Sequence, residues 1–356
     1  MEKFNELFET AQKNTIKPIK KDYMLPWIEK YRPKKVSDIV YQDDVMKLFN
    51  QILLTGNLPH LLLYGQAGTG KTTSILALAY ELFGPRKFNE RVIELNASDE
   101  RGINIVRNKI VTLAKMSVSA RDENYLCPPY KIIILDEADA MTTEAQSALR
   151  KTMEDHSNVT RFCFICNYPN QIIDPIVSRC VKFRFKPLNK ESITTRLEYI
   201  ANNEQMDIKK EALETISTVT NGDMRKAIML LQNLNYLGKK IDCDDVFTLA
   251  NIVPPSKIQK IINVCSNKKS TTTKLKNLVD EFSMNGYPLN ILISQLVDSI
   301  AKSTVLSDKQ KSYICYHISI TEKRLVDGAD EYLQLFSVLM CIHNAILGDE
   351  FIYMKI

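Results

Sequence analysis

Gly65-Gln66-Ala67-Gly68-Thr69-Gly70-Lys71-Thr72 satisfies G-x-x-x-x-G-K-[ST] at every position. Glycines at this spacing let successive backbone N–H groups turn inward around a phosphate chain. The lysine brings a point charge to the terminal phosphates, and the threonine hydroxyl ligates Mg²⁺. The pattern needs a strand before it and a helix after it. Leu61-Leu62-Leu63-Tyr64 and the helical spacing from Thr73 to Leu82 supply both. A second constellation follows in Ile132-Ile133-Ile134-Leu135-Asp136-Glu137. Four apolar residues bury a strand and deliver two carboxylates at its C-terminal end, beside the phosphate loop of a parallel sheet. There Asp136 is expected to hold Mg²⁺ through its water shell, and Glu137 to orient and deprotonate an attacking water. The chemistry implied is Mg²⁺-dependent hydrolysis of a nucleoside triphosphate such as ATP.

Those side chains must be carried by a particular scaffold. From Leu61 to Phe185 the pattern is strand, loop, helix, repeated, with further strands at Val92–Leu95, Arg161–Cys166 and Val181–Phe185 and a helix at Glu144–Glu154. Short apolar runs alternating with helices imply an α/β domain whose parallel sheet is covered on both faces. Pro187 closes that block. Helical spacing then places Ile193, Leu197 and Ile200 on one face, and later Ala227, Ile228, Leu230 and Leu231. Pro254-Pro255 is a breaker, and the remainder is again helical. The expected organisation is a flexible tail over 1–22, an ATPase domain over 23–187, a small helical lid over 188–254 and an all-α domain over 255–356.

Composition narrows the class. Of 356 residues, 45% are apolar and 25% charged, which excludes wholesale disorder. The net charge of +5 is mild, so any nucleic-acid surface is expected to be a local patch. No apolar run approaches the roughly 20 residues that span a bilayer, and the N-terminus lacks signal-peptide order, pointing to a soluble intracellular chain with no membrane partner. The eight cysteines are scattered. Cys163 and Cys166 form a C-x-x-C inside an expected strand, and no second pair or nearby histidine completes a zinc set. The four histidines suggest no catalytic cluster.

The order of motifs resembles that of AAA+ clamp loaders: the phosphate loop, Asp136-Glu137-Ala138-Asp139, Ser178-Arg179-Cys180, then Gly222-Asp223-Met224-Arg225. Trp27-Ile28-Glu29-Lys30-Tyr31-Arg32-Pro33, Glu94 to Gly102 and Ala145 to Glu154 resemble signatures of the replication factor C small subunits. Cys127-Pro128-Pro129-Tyr130 is similar to one eukaryotic subtype among them. The matching runs cover about residues 25 to 230. Many relatives have Gly-Pro-Pro-Gly where this chain has Gly65-Gln66-Ala67-Gly68. Those positions offer backbone, so nucleotide binding is expected to survive.

The resemblance implies roles that spacing alone does not assign. Asn167 matches sensor 1, where an amide meets the γ-phosphate or the attacking water; the competing reading is a turn-forming Asn before Tyr168-Pro169. Arg225 matches sensor 2, against a solvated helix arginine. Arg179 matches the arginine finger that acts in trans on a neighbour's site, against a loop arginine in a local ion pair. The Trp27–Pro33 segment is expected along the adenine, bringing Glu29 and Arg32 to the nucleotide, although these two suit a surface ion pair equally well. Asn96 is expected to act as a polar switch on Glu137.

No base-reading module is visible. The resemblance implies sequence-independent contacts to primer–template DNA, with Arg101, Arg107 and Lys109 as first candidates and Arg150 and Lys151 next, unless the latter pair with Glu154. The clamp-facing surface is expected around Ile103–Met116. Other replication factor C subunits, in a hetero-pentamer, and a PCNA-type sliding clamp are the implied partners. The nucleus, or the replication site of a large DNA virus, is the implied location. Two rivals stand beside this reading: a nucleotide-binding scaffold subunit, and another AAA+ DNA motor such as a branch-migration helicase, which needs a C-terminal winged helix.

Overall fold

The computed structural model describes residues 25–39, 42–97, 110–115, 124–267, 270–304 and 306–347. The expected N-terminal tail and Arg101, Arg107 and Lys109 lie outside the described residues. Strands β1 (Leu61–Gly65), β2 (Val92–Asn96), β3 (Lys131–Asp136), β4 (Thr160–Cys166) and β5 (Val181–Phe185) form one sheet in the order β2-β3-β4-β1-β5. Every ladder is parallel. Parallel neighbours require long crossovers, and the helices that make them cover both faces.

The helices of this part are α1 (Trp27–Lys30), α2 (Asp43–Thr55), α3 (Lys71–Arg91), α4 (Thr143–Asp155), α5 (Asp174–Val177) and α6 (Lys190–Asn203). Then come α7 (Lys210–Val219) and α8 (Met224–Asn235). Successive strand residues point to opposite faces, and the two cores divide accordingly. Leu61, Leu63, Ile132, Ile134, Cys163 and Ile165 pack with Phe49 and Ile52 of α2 and Ile75, Leu78 and Leu82 of α3. Leu62, Ile133, Leu135, Phe162, Phe164 and Cys166 pack with Leu149 and Met153 of α4. Three residues apart on a strand, Cys163 and Cys166 therefore face opposite cores, which accounts for the failure of the C-x-x-C to make a metal or disulfide site. All eight cysteines are free thiols.

The helix expected to stop at Leu82 runs on to Arg91 across a kink at Gly84 (φ 69°) followed by Pro85. A Cβ at position 84 would lie 2.4 Å from the Tyr125 ring, so glycine answers both the left-handed turn and the close approach. Proline at the following position starts the second helical piece without losing a needed donor.

The chain forms two compact units, Met1–Met206 with Ile216–Gln232, and Asp207–Thr215 with Asn233–Ile356. The second is helical: α9 (Cys243–Leu249), α10 (Pro255–Ser266), α11 (Thr272–Met284), α12 (Leu289–Lys302), α13 (Asp308–Val326) and α14 (Glu331–Leu347). Its core runs from Val253 through Leu275, Leu292 and Ile318 to Ile342. A capping box between Ser307 and Gln310 opens α13. No described residue from 255 to 347 lies in a strand. Among the described residues no helix is long and apolar enough to cross a membrane.

Candidate active site

Strand order decides which ends meet. β4 lies between β1 and β3, with Tyr64 opposite Cys166 and Leu135 opposite Phe164. The residue after β4, Asn167, therefore emerges between the phosphate loop and the end of β3. In the adjoining ladder Asn96 is level with Asp136.

The loop's geometry depends on its glycines. Gly65 sits at φ 144°, where a Cβ would lie 2.3 Å from the Phe185 carbonyl oxygen. Gly68, at φ 70°, packs on the start of α8: its carbonyl accepts the Met224 N–H at 3.1 Å, and a Cβ would meet Asp223 Oδ1 at 1.7 Å. Asp223 Oδ1 also accepts the Lys226 N–H at 3.1 Å, capping that helix.

Lys71 is 7% exposed. Its Nζ donates to the carbonyls of Gly65 (2.7 Å) and Gln66 (2.8 Å) and to Asn167 Oδ1 (3.0 Å). Burial draws its pKa below the usual lysine value, Asp136 pulls it back, and Arg225 adds to the depression. Thr72 Oγ1 donates to Asp136 Oδ2 at 2.7 Å. The backbone N–H of Glu137 donates to Asp136 Oδ1 at 2.9 Å, with Glu137 itself in a left-handed conformation at φ 54°. Asp139 Oδ2 accepts the N–H groups of both Asn167 and Tyr168 at 3.1 Å, which fixes the turn presenting the Asn167 amide.

These groups surround a cleft of about 250 Å³. Of the residues expected there, Glu29, Arg32, Ala67, Gly68, Thr69, Gly70, Lys71, Thr72, Thr73, Asp136, Glu137, Asn167 and Arg225 line it. Gly65 and Gln66 stand behind, their carbonyls taken by Lys71. Asn96 is exposed at the end of β2, outside that lining.

Local ion pairs set beside some expected roles also form. Glu29 and Arg32 pair at 3.2 Å while both line the cleft. Arg179 donates through Nη1 to the Pro175 carbonyl at 2.7 Å and through Nη2 to Glu154, and Arg150 Nε reaches the same carboxylate at 3.4 Å. Lys151 is exposed on α4.

Sequence reasoning missed Asp139, Asp223, Arg196 and Glu204. Asp139 had a signal in Asp136-Glu137-Ala138-Asp139, but its partners are backbone groups 28 and 29 residues away. Gln146 is a further omission: buried on α4, it donates to the Met141 and Gln171 carbonyls at 3.2 and 3.0 Å and accepts the Ile173 N–H at 2.8 Å.

Residues 61–188 match the family of ATPases associated with various cellular activities (AAA), residues 195–234 the RCF1/5-like AAA+ ATPase lid domain, and residues 253–341 the replication factor C C-terminal domain. The chain is 48% identical over 315 residues to replication factor C subunit 2 of Oryza sativa subsp. japonica, covering 88% of this chain and 92% of that one. It is 46% identical over 322 residues to replication factor C subunit 4 of Homo sapiens (90% and 88%). With replication factor C subunit 2 of Schizosaccharomyces pombe it shares 44% over 337 residues (94% and 98%). Among solved structures, a point variant of Thermotoga maritima RuvB superposes with a TM-score of 0.50 at 18% identity, covering 65% of this chain and 78% of that one, a likeness of fold.

Proposed function

This chain belongs to the replication factor C small subunits, and from that membership we propose that it works in a multi-subunit clamp loader opening a PCNA-type sliding clamp and placing it on primer–template DNA. It is an ATPase of the AAA family. ATP binding provides the differential affinity for clamp and DNA, and hydrolysis resets it. The observation carrying the catalytic part is the convergence of four residues from three strand ends. Lys71 Nζ meets Asn167 Oδ1 at 3.0 Å, and Thr72 Oγ1 meets Asp136 Oδ2 at 2.7 Å, with Glu137 next in the chain.

In this reading Lys71 offers its buried charge to the terminal phosphates, and the loop N–H groups cradle them. Asn167, held by Asp139, orients the attacking water, and Glu137 takes its proton. Arg225 brings α8 to the nucleotide. Arg179 serves a neighbouring subunit's site, where a guanidinium on the transferring phosphoryl is worth about 10³–10⁵ in rate. The paired hydroxyl and carboxylate of Thr72 and Asp136 are hard oxygen donors of the kind Mg²⁺ takes. When bound, Mg²⁺ neutralises charge building on the phosphates.

DNA contact is assigned to Arg101, Arg107, Lys109, Arg150 and Lys151, reading phosphates without base preference. Asn96, level with Asp136, is the switch that relays that contact to Glu137. The helical second unit holds the ring of subunits together, and the nucleus is the place of work. A scaffold without turnover is disfavoured by Lys71, Asp136 and Glu137 standing together. The absence of strands among the described residues after 255 disfavours a winged-helix motor.

The test is loading of a clamp onto primed circular DNA by a reconstituted loader. Lys71→Ala in this subunit is expected to abolish its share of ATP turnover and to slow loading. Wild-type loading with the substituted subunit would refute the proposal.

A further inference from the structure

We infer that Glu204 is a positioning residue for the nucleotide, latching the Trp27–Pro33 segment onto the lid so that it forms one wall of the cleft. The inference rests on the cleft binding ATP, and it assigns a residue from outside every motif read in the sequence.

Ile28, Glu29, Tyr31 and Arg32 line the cleft, yet α1, which carries the first two and ends just before the others, is a single turn. A four-residue helix does not hold itself, because nucleation fixes several residues for one hydrogen bond. Its anchors are side chains of the lid. Glu204, just past α6, accepts from the Tyr31 hydroxyl at 2.5 Å and pairs with Lys30 Nζ at 2.6 Å. Arg196, midway along α6 and itself lining the cleft, donates to the Tyr31 carbonyl at 2.8 Å and lies 5.1 Å from the Tyr199 ring. Trp27 is 7% exposed and meets the Tyr31 ring edge-on at 6.4 Å.

The electrostatics agree with a closed latch. Burial and then the Glu204 carboxylate push the Tyr31 hydroxyl up. Burial opposes ionised Glu204, but the bonds from Lys30 and Tyr31 more than offset it and hold the carboxyl below its usual range. One carboxylate thus takes two donors from successive residues of the segment, and the Tyr31 carbonyl is taken by Arg196. Removing Glu204 leaves one of those three bonds, and the wall loosens without any loss from the phosphate end.

Trp27 is the chain's sole tryptophan, so its emission reports this segment directly. The full-length chain is titrated with ATP and Mg²⁺ while Trp27 emission is followed, and ATP turnover is measured in the reconstituted loader. Glu204→Ala is expected to red-shift Trp27 in the free chain and to raise KM for ATP about tenfold, the scale of one charge-assisted hydrogen bond. At saturating ATP, kcat should stay within about twofold of wild type, the mark of binding lost equally before and during the chemical step. Tyr31→Phe, which deletes one hydroxyl, should shift KM in the same direction by less. Unchanged KM and emission in Glu204→Ala would overturn the inference, as would a fall in kcat matching the fall in kcat/KM. Lys71→Ala keeps the two readings apart. If it binds ATP like wild type, the cleft is not the nucleotide site and the latch falls with it. If it loses ATP while Glu204→Ala behaves as wild type, only the latch is refuted.

Discussion

Lys71 Nζ and Asn167 Oδ1 are 3.0 Å apart although 96 residues separate them in the chain. The contact follows from β4 lying between β1 and β3, which makes the end of β4 the neighbour of the phosphate loop. The two residues are expected to fail differently. In the proposed mechanism Lys71→Ala removes the charge that meets phosphate, so nucleotide binding should disappear. In that same mechanism Asn167→Ala removes an amide that orients the attacking water, so kcat should fall by about 10²–10³ with KM nearly unchanged. Steady-state ATP hydrolysis by the assembled loader, with nucleotide titration of each variant, checks both. A rise in KM alone for Asn167→Ala would assign that residue to ground-state binding.

The Thr72–Asp136 bond leads to a prediction about metal. Asp136 is read as holding Mg²⁺ through water, and outer-sphere partners of this kind set metal affinity by about ten- to a hundredfold. Asp136→Asn keeps the size and an acceptor for Thr72 Oγ1 but removes the charge. The Mg²⁺ concentration for half-maximal hydrolysis should therefore rise by about that factor, with partial recovery of rate in excess Mg²⁺. An unshifted Mg²⁺ midpoint would remove Asp136 from the metal's surroundings.

The phosphate loop and the end of β3 were legible because their chemistry is local: a fixed spacing of glycines, a lysine and a threonine, then two carboxylates after four apolar residues. The strands were legible as short apolar runs between helical patterns, and alternate residues of each run pack into opposite cores. What chain order does not encode is which strand ends are neighbours, so the Lys71–Asn167 contact required the sheet order. Asp139, Asp223 and Glu204 were hidden for a related reason. Their partners are a distant turn, a glycine carbon with no side chain to signal the approach, and a segment 173 residues earlier. The helical spacing from Thr73 to Leu82 stops short of Arg91 because Gly84-Pro85 breaks the pattern where one helical piece gives way to another.

His60 gives the first unit an acid-sensitive point. Its Nδ1 accepts the Phe162 N–H at 3.1 Å, which requires the neutral ring. Burial, and then the nearby Arg161 charge, push its pKa down from 6.5 to about 4. A group depressed on folding contributes stability above its unfolded pKa and loses it as pH falls through the folded value. The window is therefore from about 6.5 down to about 4. The upper limit of the loss is ~3 kcal/mol, reduced by the solvent His60 still meets. His60→Asn keeps an acceptor for Phe162 N–H and cannot titrate. Between about pH 7.5 and about pH 4.5 the wild-type urea midpoint should fall further than that of His60→Asn. Parallel curves would show that the ring does not control the acid limb.

Glu154 bears on the role proposed for Arg179 as an arginine finger. The Arg179 guanidinium uses two of its five N–H groups, on Glu154 and on the Pro175 carbonyl. In the proposed role the other three would address phosphoryl oxygens. A long side chain restrained at two points loses less rotamer freedom when it engages a neighbour's site. Glu154→Gln is expected to lower ATP turnover of the assembled loader about two- to fivefold, the modest scale of exposed ion pairs. Arg179→Ala should lower it by about 10³ or more at the site it serves. The double variant should be no slower than Arg179→Ala alone if the carboxylate acts on turnover through this guanidinium and not through its other partner, Arg150, at 3.4 Å. Raised salt should narrow the gap between wild type and Glu154→Gln, since an exposed pair is screened. A faster Glu154→Gln enzyme would mean that the carboxylate holds the finger back, and additive losses would separate Glu154 from Arg179.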